Sequence, residues 1–447
     1  MVARLGALLS RLSTRVVPDP FVLALLLTAL VFLMAAAHGE ATPADLAMGW
    51  FEGFASTPLL AFALQMCLVL VTGHAFATSP AVQRAVRRLA QRDLSPGAAA
   101  ALVALVSCVS AVIHWGLGAI VGAFVAREMG RHARRQGRKL HYPLLGGAAY
   151  AGLAVWHGGL SGSAPLKVAE EGHFAAAAVG VIPVGETLLG PLNLVVTGTL
   201  CLLIPLLFYL MAPTDEAAFV EADLGSAATE TSTGARAAAE TLPARLGQTP
   251  WLGRVFGGAG FATAVASWAT GRLSLDLNLV NLLFLCLGLA FQGSVARYAA
   301  AVAEGARGAG AIIVQFPFYF GVLGVMKAGG MVAWFSRGLV SFASATTFPV
   351  LVFLSAGLVN LFVPSGGGQW AVQGEIVLEA GRALGVDPAV TVMAFSYGDA
   401  WTNMLQPFWA LPLLGIMGLR ARDIVGYTGV TCLAMGVVVP ALLLLLS

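Results

Sequence analysis

The segment "GLVSFASATTFPVLVFLSAGLVNLFVPSGGGQWAVQG" (Gly338–Gly374) decides the fold. It has 37 residues without an Asp, Glu, Lys or Arg, and it contains the helix-breaking sequence "PSGGG". One membrane-spanning helix needs about 20 apolar residues, and two spans joined by a turn need about 40 or more. A run of intermediate length predicts a helix that enters the membrane, turns back and leaves on the same side.

The composition indicates a polytopic helical membrane protein. Of the 447 residues, 58% are hydrophobic and 11% are charged, whereas soluble domains carry about 25% charged residues. The arginine clusters flank apolar runs, which argues against nucleic-acid binding. The five cysteines lie within apolar runs and form no CxxC motif, so the sequence predicts neither a disulfide framework nor a zinc site.

A second run of intermediate length, residues 94–126, has a cluster of basic residues on each side. Arg84, Arg87, Arg88 and Arg92 precede it, and Arg127 and Arg131 are the first of six basic residues that follow. Basic flanks favour the cytoplasm. Both ends of this run therefore lie on the same side, which predicts a second re-entrant hairpin.

The remaining apolar runs predict about nine crossings. They cover residues 20–37, 57–77, 142–160, 187–211, 255–271, 277–296, 308–326, 388–412 and 424–446. With the N-terminus inside, 20 of the 25 Lys and Arg residues face the cytoplasm. This asymmetry supports the topology.

The chain divides into two similar halves. Residues 1–211 form a first repeat with the hairpin 94–126, residues 212–253 a cytoplasmic linker, and residues 254–447 an extra span and a second repeat with the hairpin 338–374. The extra span inverts the second copy in the membrane. Inverted repeats with broken helices are typical of secondary transporters, whose sites lie where the repeats meet.

Four glycine-rich interruptions mark the candidate site. They are "HWGLG" (114–118), "WHGGLSGSAP" (156–165), "PSGGG" (364–368) and "YGDAWTNMLQP" (397–407). A half-helix that begins after such a break points free N–H groups at the gap, which suits a carboxylate. We expect Gly366–Gln369 to begin one such half-helix, and Ser163 to cap another that has Pro165 in its first turn. The predicted substrate-binding residues are Ser161, Gly162, Ser163, Ser365, Gly366, Gly367, Gly368, Gln369, Trp401 and Asn403.

The polar residues at the breaks also suggest a coupling site for a cation or a proton. Asp399 is the acid placed deepest in a span, where a charge is costly and usually marks an ion path or proton relay. Thr402, His114 and His157 are the other candidates. A sodium ion near Gly116, Gly118 and Asp399 is an alternative to a proton. A satisfied internal hydrogen bond remains an alternative for each of these side chains.

Five motifs together resemble the short-chain fatty acid transporter family, the acetoacetate and butyrate permease type. They are "VPDPFVLALLLT" (17–28), "SGSAPL" (161–166), "IIVQFPFY" (312–319), "FVPSGGGQW" (362–370) and "NMLQPFWALP" (403–412). The resemblance implies import of short monocarboxylates across a bacterial inner membrane, with an elevator-type motion and often a homodimer. It also implies that 161–163 and 364–368 hold substrate and that 397–403 completes the site.

The sequence thus predicts a secondary active carrier for a small monocarboxylate such as butyrate or acetoacetate, coupled to H⁺ or Na⁺. A passive anion channel and a carrier for another small carboxylate remain alternatives. An intramembrane serine hydrolase is more remote. "GLSG" (159–162) matches the GxSG of rhomboid-type proteases, but such an enzyme needs a histidine on a later helix. None of the seven histidines follows residue 173.

Overall fold

The computed structural model describes residues 20–213, residue 219 and residues 242–447, apart from residues 362, 364, 406 and 407. Helices make up the regular structure of these residues, and no strand occurs among them. Three parts of the sequence analysis therefore fall outside the described residues. They are the N-terminal residues 1–19, most of the predicted linker 212–253, and the break residues Pro364 and Pro407. The rest of the chain agrees with the predicted all-α class.

The first half begins with helices α1 to α6. Their bounds are α1 Pro20–His38, α2 Pro43–Phe54, α3 Thr57–Ala77, α4 Pro80–Ala90, α5 Pro96–Ile113 and α6 Trp115–Arg135. The half ends with α7 Tyr142–Ala151, two 3₁₀ turns at Gly152–Ala154 and Trp156–Gly158, α8 Ser163–Lys167, α9 Ala176–Val179 and α10 Pro191–Leu210.

The second half contains two further groups of helices. The first group is α11 Leu242–Gln248, α12 Pro250–Ala269, α13 Leu277–Phe291, α14 Val295–Ala328 and α15 Met331–Phe342. The second group is α16 Phe348–Asn360, α17 Gly366–Ala383, α18 Pro388–Thr402, 3₁₀ turns at Asn403–Leu405 and Phe408–Ala410, α19 Leu411–Met417 and α20 Ala421–Leu446.

Five of the described helices are long and apolar enough to cross a membrane. They are α3, α5, α10, α14 and α20. Several apolar helices of this kind, in a chain with so little charge, indicate a multi-pass membrane protein. The predicted crossings 142–160 and 388–412 are not continuous helices, because each is divided by 3₁₀ turns at one of the predicted breaks.

Each predicted hairpin segment contains an antiparallel helix pair, and its re-entrant course in the membrane stays a prediction. In the first, the Ser107 hydroxyl of α5 donates to the Gly118 carbonyl of α6 at 3.3 Å. In the second, the Gln373 amide of α17 donates to the Ser355 hydroxyl of α16 at 3.0 Å. The first hairpin turns at a single extended residue, His114, and Trp115–Gly118 are already helical.

The helices of both hairpins differ from the predicted boundaries. The second hairpin covers residues 348–383 rather than 338–374, since Gly338–Phe342 belong to the separate helix α15. Its second arm continues past Glu375, whose charge is paired with Lys327 at 2.6 Å. The first hairpin likewise continues to Arg135 rather than residue 126. A charge does not end a helix when a neighbour neutralises it.

The helices form two packed groups. In the first group, α14 packs along α1, α2 and α3, while α13 packs on α3 and α12. The second group contains both hairpins and the broken spans α7–α8 and α18–α19. In it α10 packs on α5, and α20 packs on α7. The site lies between the two groups.

Candidate functional site

The four predicted interruptions meet at one cavity. Trp115 comes from the first break, Trp156 from the second, Ser365 and Gly366 from the third, and Asn403 from the fourth. Met66, Ile312 and Phe316 close it from the first helix group. The cavity has a volume of about 30 Å³, counted as the space that the centre of a water molecule can occupy. One water needs about 10–15 Å³ by this measure, so the cavity suits a ligand of a few heavy atoms.

The cavity is apolar except at a few positions. Its wall contains Leu153, Gly367 and Trp409 in addition to the residues above. The Ser365 hydroxyl, the Asn403 side chain and the backbone of the glycine turn supply the polar groups. An apolar cavity with a few convergent polar groups is typical of a site for a small organic ligand.

The glycine turn begins α17 as predicted. Ser365 is its N-cap, and the Ser365 hydroxyl accepts from the Gly368 N–H at 3.3 Å. The Ser365 carbonyl accepts from the Gln369 N–H at 2.7 Å. The first N–H groups of a helix have no partner within the helix, and the first two residues of α17, Gly366 and Gly367, line the cavity. This end of α17 carries a partial positive charge that favours an anion.

The absence of side chains at this turn allows close packing. A Cβ at Gly366 would lie 2.7 Å from the Trp156 ring and 2.9 Å from Cε1 of His157. A Cβ at Gly367 would lie 3.0 Å from Cζ of Phe62 and 3.2 Å from the Phe316 ring. The tip of the second hairpin is therefore wedged between the second break and the first helix group.

The second break departs from its predicted cap. Gly162 is the N-cap of α8, and Ser163 is the first residue of that short helix, with Pro165 in its first turn as expected. Ser163 does not act as the cap because its hydroxyl bonds the imidazole of His157. Ser161 caps a different helix, since its hydroxyl accepts from the Trp115 N–H at the start of α6 at 2.8 Å.

A buried hydrogen-bonded chain of Ser163, His157 and Asp399, which we call the relay, joins the second and fourth breaks. Nδ1 of His157 lies 2.8 Å from Oδ2 of Asp399. Nε2 of His157 lies 3.0 Å from the Ser163 hydroxyl and 3.1 Å from the Ala164 N–H. His157, Ser163 and Asp399 are all fully buried. The Trp156 ring, which lines the cavity, stacks on the imidazole at 4.2 Å.

These contacts assign the histidine tautomer. A backbone N–H can only donate, so Nε2 of His157 accepts from Ala164 and is unprotonated. The Ser163 hydroxyl then donates to the same nitrogen, and the ring proton resides on Nδ1 and points at Asp399. Oδ1 of Asp399 has no hydrogen-bond partner among the described residues.

Asn403 and Thr402 tie the fourth break to the second hairpin. The Asn360 side-chain amide donates to the Thr402 hydroxyl at 2.9 Å and to Oδ1 of Asn403 at 3.0 Å. The Thr402 hydroxyl donates to the Gly357 carbonyl at 2.8 Å. Asn403 also lines the cavity, and its role in substrate binding stays a prediction, whereas Thr402 binds the hairpin rather than the Asp399 carboxylate.

Two other predicted binding residues serve packing. The Trp401 indole donates to the Cys432 carbonyl of α20 at 2.7 Å and stacks on Phe353 at 4.8 Å. The Gln369 side chain donates to the Ala356 carbonyl at 2.7 Å, which joins the two arms of the hairpin. Neither side chain lines the cavity.

The first break has a different environment from the relay. His114 is fully buried against Phe284, with ring centroids 4.1 Å apart, and its ring nitrogens have no partner among the described residues. Gly116 lies beside this ring, while Gly118 packs on Ala111 of α5. The described contacts place His114 against α3 and α13 of the first helix group, whereas Gly118 packs within the hairpin. A sodium site there remains a prediction.

Sequence reasoning missed the aromatic wall of the cavity. Trp115 and Trp156 adjoin the predicted breaks, but a tryptophan beside a break is also a common packing residue. Asn193 was missed as well. Its amide donates to the Gly158 carbonyl at 2.8 Å, and its oxygen accepts from the Tyr397 hydroxyl at 3.1 Å. A polar residue within the apolar helix α10 was the available signal.

Known proteins resemble this chain over almost its whole length. The family model described as "Short chain fatty acid transporter" matches residues 1–446. A protein of Escherichia coli (strain K12), named "Putative short-chain fatty acid transporter", is 37% identical over 439 residues, covering 98% of each chain. A protein of the same name from Haemophilus influenzae is 35% identical over 435 residues, covering 96% of each chain.

A solved structure shares the fold at low sequence identity. The YdaH transporter of Alcanivorax borkumensis, whose crystal structure was described as having an unusual topology, superposes with a TM-score of 0.58 at 17% identity. The match covers 95% of this chain and 98% of that one. At this identity the likeness concerns the fold alone.

Proposed function

Since the chain belongs to the short-chain fatty acid transporter family, a family of non-enzymatic transporters, we propose that it is a proton-coupled secondary carrier for small monocarboxylates such as butyrate or acetoacetate. The observation that carries this proposal is the cavity at which all four helix interruptions meet. Import across a bacterial inner membrane is part of the proposal.

The cavity matches the two ends of such a substrate. The carboxylate binds at the start of α17, where the backbone N–H groups and the helix dipole favour an anion. Ser365 and Asn403 supply side-chain partners beside it. The short alkyl chain lies against Trp115, Trp156 and Phe316. The small size of the cavity favours chains of a few carbons.

Asp399 is the proposed proton carrier. Protonating Nε2 of His157 would set two N–H groups against each other, because the Ala164 N–H already points at this atom. Oδ1 of Asp399 can take a proton without breaking a hydrogen bond between described residues. A proton there neutralises the buried charge, which lowers the cost of moving the site through the membrane. His157 holds the carboxylate in place.

A sodium ion at this carboxylate is the competing form of coupling. The relay favours the proton because His157 already occupies one oxygen of Asp399 with a donated hydrogen bond, and a bound cation would compete with that donor. Gly116, Gly118 and Asp399 remain the candidate positions for sodium. The two forms differ in the gradient that drives uptake.

The chain Ser163–His157–Asp399 also has the order of a serine-hydrolase triad. The general base of a rhomboid-type protease lies on a helix after the serine, whereas His157 precedes Ser163 in the chain. Two features favour a relay over a nucleophile. Ser163 is fully buried, and the Ala164 N–H shares the imidazole nitrogen that a general base needs. The family is one of transporters, so we do not propose hydrolysis.

The two helix groups suggest how the site is exposed alternately. We assign both hairpins, the broken spans, α10 and α20 to a moving part, and α1–α3 with α12–α14 to a scaffold. We place α10 and α20 in the moving part because α10 packs directly on α5 of the first hairpin and α20 packs on α7 of a broken span. An elevator motion of one group against the other, the inverted repeats and a homodimer are parts of this proposal.

Uptake into proteoliposomes tests the function. The purified protein is reconstituted, and labelled butyrate uptake is measured under a pH gradient or a sodium gradient imposed separately. Protein-free liposomes correct for diffusion of the undissociated acid. We expect accumulation driven by the pH gradient. Accumulation driven only by sodium would replace the proton with sodium, and no protein-dependent uptake would contradict the proposal.

A further inference from the structure

A buried ion pair lies close to the cavity. Nζ of Lys167 is 2.7 Å from Oε2 of Glu170, and the two side chains are only 6% and 11% exposed. The structure buries Lys167 at the end of α8, four residues before the exposed Glu171, which begins a surface loop with Gly172.

Hydrogen bonds connect this pair to the first helix group. The Gln65 side chain on α3 donates to Oε1 of Glu170 at 2.9 Å and to the Asn278 side chain of α13 at 3.0 Å. Its oxygen accepts from Lys167 at 3.4 Å. Gln65 and Asn278 belong to the first helix group, while Lys167 and Glu170 follow the second break. These bonds span the interface in which the cavity lies.

One aromatic ring connects this cluster with the cavity wall. Nζ of Lys167 lies 5.3 Å from the centroid of Phe62. The same ring also contacts the glycine turn, since a Cβ at Gly367 would lie 3.0 Å from Cζ of Phe62. Gln65 is followed directly by Met66, which lines the cavity. The ammonium group is thus one side chain away from the cavity.

The chemistry of the pair suits exchange of one carboxylate for another. A buried lysine needs an anionic partner, and Glu170 supplies it in this structure. A substrate carboxylate presents the same two oxygens and can replace Glu170 once that side chain turns toward the adjacent exposed loop. His173 in this loop does not offer an equivalent charge. Burial lowers the pKa of His173 and outweighs the opposing hydrogen bond from its ring to the Gly180 carbonyl.

We propose that Lys167 is a second carboxylate-binding residue, on the route between the exposed loop at Glu171 and the cavity. Glu170 occupies it when no substrate is present, and Phe62 separates it from the cavity. The substrate carboxylate binds Lys167 first and then passes Phe62 to reach the start of α17. This inference rests on the proposed function, and it adds a residue and a route that the cavity itself does not include.

The test measures KM and maximal rate for butyrate uptake in proteoliposomes. Lys167→Met alone would leave Glu170 buried without a partner, which is strongly destabilising. The main variant is therefore Lys167→Met with Glu170→Gln. We expect a KM raised about tenfold, the range for loss of a charge-assisted hydrogen bond, with a maximal rate within about twofold. Lys167→Arg with Glu170→Gln keeps a cation at position 167, so its KM should be closer to the wild-type value than that of Lys167→Met with Glu170→Gln.

Glu170→Gln alone should change KM in the opposite direction to the double variant, which distinguishes substrate binding at Lys167 from a structural role. It removes the anion that competes for Lys167, so KM should fall. A merely structural role for the pair would not lower KM. This variant loses the ion pair, but the glutamine oxygen still accepts from the Lys167 ammonium, so no buried polar group loses its only partner. Size-exclusion chromatography confirms that the purified variant is folded before its KM is measured.

The second Lys–Glu pair in the structure provides a matched control. Lys327 and Glu375 are 2.6 Å apart, but the Lys327 side chain is 46% exposed. Lys327→Met with Glu375→Gln should leave KM unchanged. An active wild type whose KM does not change in Lys167→Met/Glu170→Gln or in Glu170→Gln overturns this inference alone. A wild type that takes up no butyrate overturns the proposed function and the inference with it.

Discussion

The carboxylate of Asp399 lies 2.8 Å from Nδ1 of His157, although 242 residues separate them in the chain. This contact joins a broken span of the first half with one of the second half. It places a fully buried acid and a fully buried imidazole directly behind the cavity wall. The pairing gives the buried carboxylate a fixed orientation and leaves Oδ1 open to a proton.

Asp399→Asn should uncouple transport from the pH gradient. Asparagine keeps the shape of the side chain but cannot gain a proton. We expect accumulation driven by the pH gradient to fall by about tenfold or more, whereas exchange of internal for external butyrate stays within about twofold. Accumulation and exchange are measured in the same proteoliposomes.

Asp387→Asn is the matched control, because Asp387 caps the same helix and is exposed. Asparagine is also a good N-cap, so this variant should behave as the wild type. Equal accumulation in Asp399→Asn and the wild type would rule out Asp399 as the proton carrier.

Gly366→Ala should abolish uptake. The added methyl group would lie 2.7 Å from the Trp156 ring and 2.9 Å from the His157 ring, too close for any real Cβ. The second hairpin must then move away from the relay, which removes the N–H groups from the cavity. Gly258→Ala in α12 is the control, since nothing lies within 4 Å of its Cβ position. If Gly366→Ala transports as well as the control variant, the close packing of the hairpin tip on Trp156 and His157 is not required for transport.

Ser163→Ala and Asn403→Ala should each lower uptake while the protein remains folded. The first removes the hydroxyl that donates to His157. The second removes a polar group from the cavity and leaves the Asn360 amide with one acceptor fewer. We expect about a tenfold loss in each, in line with the loss of one or two buried hydrogen bonds. Ser341→Ala, at an exposed serine of α15, controls for handling. Unchanged uptake in both variants would refute the site assignment.

Met66→Ala should shift the preference toward longer acids. Met66 lines the cavity from α3, and its truncation makes room for about two further methylene groups. Each methylene in an apolar pocket is worth about 1–3 kcal/mol, so two methylenes should raise the ratio of hexanoate to butyrate uptake by about thirtyfold or more. Met129→Ala removes an equally buried methionine of α6 that does not line the cavity. The same ratio in both variants would show that Met66 does not limit chain length.

The sequence was sufficient to predict where helices break. Glycine, proline and serine clusters at 156–165 and 364–368 interrupt apolar runs, and these residues act locally through their backbone. The start of α17 at Gly366, with Ser365 as its cap, follows from such local rules. Hairpin ends were less predictable, because Glu375 lies inside a helix that a distant Lys327 makes tolerable.

The contacts among the breaks could not be predicted from the sequence. His157 was one of several buried histidines, and nothing near it in the chain identifies Asp399 as its partner. Lys167 is similar, since its burial depends on Glu170 nearby and on Gln65, which comes from another helix 102 residues away. Such pairings arise only when the chain is folded, whereas periodicity and turn chemistry act over a few residues.

The central claim is that the chain is a carrier whose cavity binds a small monocarboxylate, and counterflow tests it most directly. Proteoliposomes loaded with unlabelled butyrate are diluted into a trace of labelled butyrate without any ion gradient. The proposed carrier predicts a transient accumulation of label above its equilibrium level, absent in protein-free liposomes and in Gly366→Ala. A protein-dependent approach to equilibrium without that excess would identify a passive channel and contradict the claim.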